Sequence, residues 1–422
     1  MNCIPSSAAA RTRLALALGL ALHAGASLAQ GAGPCDAVKS DIRIDQRAKL
    51  TVSNQGSSGH CYAGASSVLF DAYRGPNGTP PPGEASPVHL ASIFKGLESE
   101  GLVSDAKWGK IAGNIGGGDA SKLFGESLRT SPRPMVCTKK GTDKVWHDFM
   151  RVRYGAAFSN RLSTEDFMKY LERLYGNYWY YTRSHTDKDR AKAISEMETV
   201  RNDFNRGVYG GDSNASVVNP DSCHSIPLGS QPSMDQLLGD MHYILHYDSK
   251  YSGQKALLNF VRGQIDAACP VEERIDTPAF PKPTLVNGDT SSGGSKAAIR
   301  NFFDSQMCTQ VQPVAISICE GGFFQGSPTL DKTTGIRVPC SNTCDTSTGK
   351  CQGTDHVVAV VGRRVQGAKV QYLVQNSWGP GYCGYNEPLR SNCDADGRIW
   401  IDADELVDRT GQAVGLPKPP TD

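Results

Sequence analysis

The local periodicity of the chain changes once along its length, and this change limits the fold more than any other sequence feature. Apolar residues recur at helical spacing in segments between 59 and 306, whereas short β-branched or alternating runs occupy 313–318, 356–362, 369–375 and 398–402. Helices that come first and strands that come later are typical of the α+β class. The sequence therefore predicts an α+β protein with a helical lobe and a strand-rich lobe.

The helices can be placed from their apolar spacing and from the signals at their ends. One helix is expected at 59–74 and a second at 87–99, where Ser86 suits the capping position and Pro87 the first turn. Further helices are expected at 120–128, 163–176, 187–206, 232–247, 253–268 and 295–306, with loops at 207–231 and 270–294.

The first 29 residues have the pattern of a secretory signal peptide. Arg11 and Arg13 precede the apolar run 14–22, and small residues lead to a cleavage site at 27–29. The run is too short for a membrane anchor, which needs about 20 apolar residues. We therefore expect residues 1–29 to be removed from an exported protein, periplasmic or secreted, and the short Ala/Leu-rich signal is typical of a bacterial source.

Cysteine usage agrees with export, because an oxidising compartment favours disulfides. Apart from Cys3 in the signal and Cys61, the cysteines are Cys35, Cys137, Cys223, Cys269, Cys308, Cys319, Cys340, Cys344, Cys351, Cys383 and Cys393. Their connectivity stays open at this stage, and the odd number leaves one thiol over or a bridge to another chain. Cys383 and Cys393 are close enough in sequence to close a short loop.

Nucleophile chemistry is suggested by the segment that leads into the first predicted helix. Cys61 falls at the helix N-terminus, where exposed amides and the helix dipole favour a thiolate. Its own backbone N–H, with the side-chain amide of Gln55 on the approaching loop, can stabilise an oxyanion. A structural cysteine and a solvated glutamine are the alternative interpretation of this segment alone.

A second group of residues lies about 300 positions further along the chain. His356 opens one predicted strand, and Asn376 follows the end of the next. A histidine on one strand and an amide beside it can form a hydrogen bond that orients the imidazole as a base. Trp378, two residues later, can cover this bond from water.

Together these segments resemble the three signatures of the papain family of cysteine peptidases: Gln55…Cys61, Asp355-His356 and Asn376-Ser377-Trp378-Gly379. Weaker matches follow in the family's order at Ser86-Pro87-Val88-His89-Leu90, Gly117-Gly118, 313–318 and 397–401. The resemblance covers about 51–130 and 293–406. It implies an α+β fold of two lobes, the second β-barrel-like. It also implies a Cys61, His356 and Asn376 triad with Gln55 as oxyanion donor, and substrate contacts at Gly117, Gly118 and Trp378.

Spacing supports an insertion between the lobes. His356 lies 295 residues after Cys61, and removal of the 154 residues 137–290 leaves 141. That value falls within the about 130–150 residues of the papain pattern. We therefore predict a helical lobe at 30–136, a mainly helical insertion at 137–290 and a β-rich lobe at 291–422. The insertion is interpreted as a stabilising subdomain, with a substrate-selecting or inhibitory lid as the alternative.

The chain also departs from the family pattern. Ser58 and Ile115 stand where the family often has a bridged cysteine pair, and Tyr62 replaces the usual tryptophan. Only 25 residues separate the cleavage site from Gln55, so the usual N-terminal inhibitory prodomain is not expected.

The expected activity is hydrolysis of peptide bonds in a protein or peptide substrate, with no cofactor. A transpeptidase or amide ligase on the same scaffold, and a non-catalytic binding protein, are the alternatives. The 44 basic and 43 acidic residues nearly cancel, which gives no indication of a nucleic-acid partner. No membrane partner is expected after signal removal.

His242 and His246 have helical metal-ligand spacing, but no adjacent glutamate supports a metal site. The oligomeric state stays open.

Overall fold

The chain's structure, a computed structural model, describes residues 35, 41–55, 60–75, 83–94, 120–129, 131–155, 162–209, 232–250, 253–288, 295–318, 324, 329–330, 337–338, 344–345, 350–351 and 356–419. The predicted signal at 1–29 and the pair Gly117-Gly118 lie outside the described residues. The same is true of Ser58 and Ile115.

Every helix predicted from the sequence is present, and most ends differ by a few residues. The helix predicted at 87–99 ends at Ile93, and the one predicted at 163–176 continues to Arg183. The described helices are α1 (Ile44–Arg47), α2 (Cys61–Arg74), α3 (Pro87–Ile93), α4 (Ala120–Gly125), α5 (Lys139–Tyr154), α6 (Thr164–Arg183), α7 (Asp187–Tyr209), α8 (Met234–Leu245), α9 (Gln254–Ala268), α10 (Lys296–Asp304) and α11 (Ala403–Arg409). A π-helical stretch, Ser305–Gln310, extends α10. Helix α5 was not predicted, because its dense charge and the glycine in its first turn obscure the apolar spacing.

Helix α2 lies in the interior of its lobe, and every residue from Cys61 to Tyr73 is buried. Helix α3 begins as predicted, since the Ser86 hydroxyl accepts a hydrogen bond from the His89 N–H and Pro87 occupies the first turn. The two helices pack on each other. They form the helical lobe to which the candidate nucleophile belongs.

The strand-rich lobe is built on one antiparallel sheet. Its strands are β1 (Ile42–Arg43), β4 (Thr284–Asn287), β5 (Val314–Ile318), β10 (His356–Gln366), β11 (Lys369–Gln375), β12 (Ile399–Asp402) and β13 (Thr410–Gly415). Three two-stranded sheets are separate from it: β2 (Val136–Cys137) with β3 (Arg274–Ile275), β6 (Thr329–Leu330) with β7 (Arg337–Val338), and β8 (Cys344–Asp345) with β9 (Lys350–Cys351). The sheet order is β12-β11-β10-β5-β13-β4, and β1 pairs with β10. The fold is α+β as predicted, and the closure of a barrel is not shown by the described strands.

The prediction of a loop at 270–294 is wrong at 271–275 and at 284–287, whereas the residues between these two places have no regular secondary structure. This stretch contains a short 3₁₀ helix at Val271–Glu273, then β3 and β4. Strand β4 pairs with β13, more than a hundred residues later, so its conformation depends on a distant partner. The four predicted strands are confirmed, with β10 extending to Gln366.

The segment 41–55 is attached to the sheet although it precedes the helical lobe in sequence. Arg398, which is buried, donates to the Leu50 carbonyl at 2.6 Å and to the Gln375 side chain at 2.8 Å. Gln375 in turn donates to the Thr51 carbonyl at 2.7 Å. A disulfide between Cys35 and Cys308 also joins this end of the chain to the π-helical stretch after α10. The loop that carries Gln55 is therefore held by the strand-rich lobe.

The polypeptide enters and leaves the segment of helices α5 to α9 at one narrow place, which we call the neck. Strands β2 and β3 pair there, and the Thr138 N–H donates to the Glu273 carbonyl at 2.8 Å. A disulfide joins Cys137 to Cys269. The entry and exit of this helical segment are thus fixed to each other by both hydrogen bonds and a covalent bond.

A buried histidine fixes the segment to the helical lobe. His89 on α3 is fully buried, its Nδ1 accepts from the Cys137 N–H at 2.8 Å, and its Nε2–H donates to Asp266 on α9 at 3.0 Å. Because Nδ1 accepts an N–H, the proton of the neutral ring lies on Nε2. Burial lowers the pKa of His89, although Asp266 opposes this effect.

Among the described residues, no helix has both the length and the apolar character to cross a bilayer.

Glu172 on α6 is one of the carboxyl groups buried inside the helical segment. It is 5% exposed, and its Oε1 atom has no hydrogen-bond partner in the described structure. Burial raises the pKa of Glu172 to about 8. Glu172 is therefore protonated in the folded protein at neutral pH. At pH values above 4.5 the carboxyl of the unfolded chain is ionised, so folding takes up a proton there.

Replacement of this group with Glu172→Gln should change the pH dependence of stability. The wild-type contribution is complete below pH 4.5 and is lost as the pH rises through about 8, because the unfolded carboxyl ionises first. The free energy of unfolding of the variant should therefore rise relative to wild type by about 1.4 kcal/mol per pH unit in this window. Denaturant titrations across the window measure this. Glu198→Gln, at an exposed position of α7, is the control for the removal of one carboxyl group. A flat difference for Glu172→Gln would contradict the assignment.

Candidate active site

Cys61 is the first residue of α2 and is buried. It carries a thiol and belongs to none of the described disulfides. The preceding residue, His60, caps the helix through its carbonyl, which accepts from the N–H groups of Ala63 at 2.9 Å and Gly64 at 3.1 Å. Burial lowers the pKa of His60 to about 4, so this ring adds no charge beside Cys61 at neutral pH. The helix N-terminus itself favours the thiolate at this position.

His356 and Asn376 form the hydrogen bond that the sequence predicts. His356 begins β10 and Asn376 directly follows β11, and these strands are antiparallel neighbours, so the two residues lie at the same end of the sheet. His356 Nε2 and Asn376 Oδ1 are 2.8 Å apart, and both residues are buried. The Ser377 N–H also donates to Asn376 Oδ1 at 2.8 Å.

Two donors at one oxygen fix the protonation of the ring. Because the Ser377 N–H requires an acceptor, the atom that faces both Ser377 and His356 is the amide oxygen. The His356 proton of the neutral ring therefore lies on Nε2, and Nδ1 is the nitrogen that can accept a proton. This is the tautomer that a general base requires if the other nitrogen is held by an orienting group.

Gln55 is joined to the same region by two hydrogen bonds. Its backbone N–H donates to the Ser377 carbonyl at 2.7 Å, and the Ser377 hydroxyl donates to its Oε1 atom. The neighbouring residues pair in the same way. Asn54 and Trp378 form an isolated antiparallel β-bridge, and the Gly379 N–H donates to the Ser53 carbonyl at 3.0 Å. The hydroxyl bond to Oε1 directs the Gln55 amide nitrogen away from the Ser377 hydroxyl.

The helix of Cys61 approaches the same serine closely. A Cβ atom at Gly64, one turn after Cys61, would lie 3.0 Å from the Cβ of Ser377. A Cβ atom at this distance would require Ser377 to give by a few tenths of an ångström, so glycine suits this close approach. Helix α2 also packs against β10 and β5. The segments that carry Cys61, Gln55 and Asn376 therefore meet at Ser377.

Aromatic rings surround the histidine, as predicted in part. Trp378, which is half-buried, lies 5.4 Å from His356 between ring centroids, with 31° between the planes. Phe324 meets both rings edge-on, at 6.1 Å from His356 and 5.7 Å from Trp378. Tyr385 stacks on Trp378 at 5.9 Å and 24°. Trp378 and Phe324 therefore pack directly against the His356 ring, and Tyr385 packs behind Trp378.

Sequence reasoning found Trp378 and missed the other aromatic residues. Phe324 stands in a stretch without a recognisable pattern, and nothing local predicts its position. Tyr385 lies between Cys383 and Cys393, which form a disulfide as suggested from their spacing. A large aromatic residue inside a short bridged loop, directly after a site motif, is the signal that could have found it.

A metal site has no support among the described residues, where no group of three or more His, Cys, Asp or Glu side chains could hold an ion. The rings of His242 and His246 are 4.5 Å apart, and His242 Nδ1 is hydrogen-bonded to the Tyr178 hydroxyl at 2.9 Å. The predicted substrate contacts Gly117 and Gly118 lie outside the described residues.

Comparison with known proteins finds no matching family model and no matching curated protein. Several solved structures show distant likeness. The digestive procathepsin L2 proteinase of Tenebrio molitor larval midgut is 13% identical, with 89% of this chain and 67% of that chain covered and a TM-score of 0.36. Bromelain protease from Ananas comosus, in complex with the E64 inhibitor, is 11% identical over 90% of this chain and 100% of that chain, with a TM-score of 0.33. PepW from Lactobacillus rhamnosis is 13% identical over 97% and 89%, with a TM-score of 0.36.

Alkylation of the thiol tests whether Cys61 and His356 act on each other. An ordinary thiol is almost fully protonated at about pH 6, whereas a thiolate beside an imidazolium reacts. We expect iodoacetamide to modify Cys61 at this pH at least about tenfold faster in wild type than in His356→Ala. Modification is measured by peptide mass spectrometry. His185→Ala, at an exposed position, should match wild type. Equal rates in all three proteins would show that His356 does not affect the reactivity of the Cys61 thiol.

Proposed function

We propose that this chain is an exported papain-like cysteine peptidase, which hydrolyses peptide bonds with Cys61 as nucleophile and His356 as base. Asn376 is the orienting residue, and Gln55 is the oxyanion donor. One observation carries the proposal: the segments of Cys61, Gln55 and Asn376 converge on Ser377 while Asn376 holds His356 at 2.8 Å. A structural cysteine would not require an oriented imidazole and an oriented amide in the same place.

The proposed reaction begins with attack of the Cys61 thiolate on the carbonyl carbon of the scissile bond, which forms a C–S bond. The negative charge moves to the carbonyl oxygen, where the Gln55 side-chain amide and the Cys61 N–H stabilise it. The first N–H groups of a helix have no acceptor within the helix, so the Cys61 N–H suits this role. Collapse of the intermediate breaks the C–N bond, and His356 Nδ1–H gives its proton to the leaving amine.

The second half of the reaction removes the acyl group from sulfur. His356 takes a proton from water through Nδ1, and the resulting hydroxide attacks the thioester carbonyl. Breakage of the C–S bond releases the carboxylic acid and restores the thiolate. The proton on Nε2 stays with the Asn376 hydrogen bond throughout, so the ring keeps its orientation in both steps.

The substrate is a protein or peptide, and the reaction needs no cofactor. Gly117, Gly118 and Trp378 are proposed to contact it, the first two through their backbone, as the resemblance to the papain family implies. The disulfides Cys35–Cys308, Cys137–Cys269 and Cys383–Cys393 support formation in an oxidising compartment, which agrees with a signal at 1–29.

The helical segment within 137–290 is proposed to be a stabilising subdomain inserted between the lobes. Its support is the neck and the fully buried His89, which bonds to both Cys137 and Asp266. A lid must separate from the body of the protein to open, and separation here would leave the buried polar atoms of His89 without partners. This cost favours a fixed position for the segment.

Cleavage of a peptide library by wild type and by variants tests the function. Cys61→Ala should remove all turnover, and His356→Ala should reduce kcat at least about a thousandfold, because nucleophile activation and leaving-group protonation are both lost. Asn376→Ala should keep measurable activity, since its role is orientation. Product masses identify the cleaved bonds, and a thiol-directed epoxide should label wild type at Cys61 and should not label Cys61→Ala.

Two outcomes would replace the proposal. Ligated products that accumulate when an amine nucleophile is added would indicate a transpeptidase or amide ligase, because the acyl-enzyme then passes to the amine. Peptide binding without turnover or epoxide labelling, in a protein shown to be folded, would indicate a binding protein.

A further inference from the structure

The arm, as we call residues 50–55, runs antiparallel to the chain beyond β11. The Gln55 N–H donates to the Ser377 carbonyl at 2.7 Å, and the Gly379 N–H donates to the Ser53 carbonyl at 3.0 Å. A two-stranded pairing this short is only marginally stable by itself. The position of Gln55 therefore also depends on the groups that hold the other end of the arm.

Gln375 holds that end. It is the last residue of β11, directly before Asn376, and it is only 4% exposed. Its side-chain nitrogen donates to the Thr51 carbonyl on the arm at 2.7 Å, and its Oε1 atom accepts from Arg398 Nε at 2.8 Å. Gln375 thus connects the strand that leads into Asn376 with the arm that leads to Gln55.

Arg398 fixes the direction in which the Gln375 amide faces. A guanidinium has N–H donors only, so the atom that faces it is the amide oxygen. The amide nitrogen then faces the Thr51 carbonyl, which can only accept. Arg398 is 3% exposed, and its charge is balanced by Asp396 at 2.6 Å and Asp45 at 3.5 Å. The orientation of Gln375 is therefore set by a buried and neutralised partner.

The arm is held at two successive carbonyls, that of Leu50 by Arg398 and that of Thr51 by Gln375. Gln55 follows only four residues after Thr51. A shift of the arm at Thr51 would therefore be passed to the pairing that carries Gln55.

We propose that Gln375 is a positioning residue, which holds the arm at Thr51 so that the Gln55 side-chain amide lies where the oxyanion forms. The proposal rests on the function proposed above and concerns the same site. An oxyanion donor acts only within about 2.7–3.1 Å of the charged oxygen. A displacement of about 1 Å can lower the rate about a hundredfold. Loss of the Thr51 bond should therefore lower turnover, although Gln375 itself does not touch the substrate.

The variant Gln375→Glu separates the two bonds of this side chain, because a carboxylate still accepts from Arg398 but has no proton to donate to the Thr51 carbonyl. Gln371→Glu is the matched control. Gln371 lies on the same face of β11, and its side chain likewise accepts from an arginine, at 2.8 Å, and donates to a carboxylate, at 2.9 Å. Neither of these partners belongs to the arm.

Amide hydrogen exchange, followed by NMR, tests the attachment of the arm without any turnover. The N–H groups of Gln55 and Gly379 are the donors of the pairing. We expect both to exchange at least about fivefold faster in Gln375→Glu than in wild type, because local opening becomes easier. Their exchange should stay at the wild-type rate in Gln371→Glu. Wild-type exchange in Gln375→Glu overturns the proposal. If this variant does not fold, Gln375→Met, which loses both bonds without an added charge, is measured in its place.

Kinetics test the consequence for the oxyanion donor. Gln375→Glu should lower kcat about tenfold and change KM less than about twofold. In a Gln55→Ala background the same change should lower kcat less than about twofold further, because the donor that it positions is already absent. Gln371→Glu should leave kcat unchanged in both backgrounds.

The combination of variants also decides against a purely structural role. Effects of Gln375→Glu and Gln55→Ala that multiply would overturn the proposal, because Gln375 would then act independently of Gln55. Absence of peptidase activity in wild type would refute the proposed function and would leave the exchange measurement valid.

Discussion

The candidate site is built around one close approach, that of Gly64 on helix α2 to Ser377. A helix that carried a Cβ there would meet Ser377 at 3.0 Å, and either the helix or the loop would have to move. Ser377 is also the residue whose N–H holds Asn376 and whose carbonyl and hydroxyl hold Gln55. One close approach between the lobes therefore sets the position of Cys61 relative to both amide side chains. In a buried polar network of this kind, a displaced member leaves its partners unsatisfied, so the arrangement is held as a unit.

Residues that act through local chemistry could be predicted from the sequence. The Ser86-Pro87 signal placed the start of α3, and helical spacing placed α2 with Cys61 at its first turn. The hydrogen bond of His356 with Asn376 followed from two strand ends separated by twenty residues, because neighbouring antiparallel strands bring such ends together. The α+β class followed from the single change in periodicity.

Features set by distant partners could not be predicted in this way. The sequence predicts a loop at β4 because the segment is short and half exposed. Its strand conformation depends on pairing with β13. The bridges of Cys35 with Cys308 and of Cys137 with Cys269 join residues far apart in sequence, where many pairings were possible. The central role of Ser377 was also missed, since its bonds depend on the approach of two segments from the helical side.

The neck has a consequence for limited proteolysis. Because Cys137 and Cys269 are bonded, a single backbone cut anywhere between them produces two chains that remain covalently joined. Such a nicked molecule would keep its mass except for one added water. Under denaturing electrophoresis it would separate into two bands only after reduction. The disulfide at the neck would therefore keep the two pieces in one covalently joined molecule after such a cut.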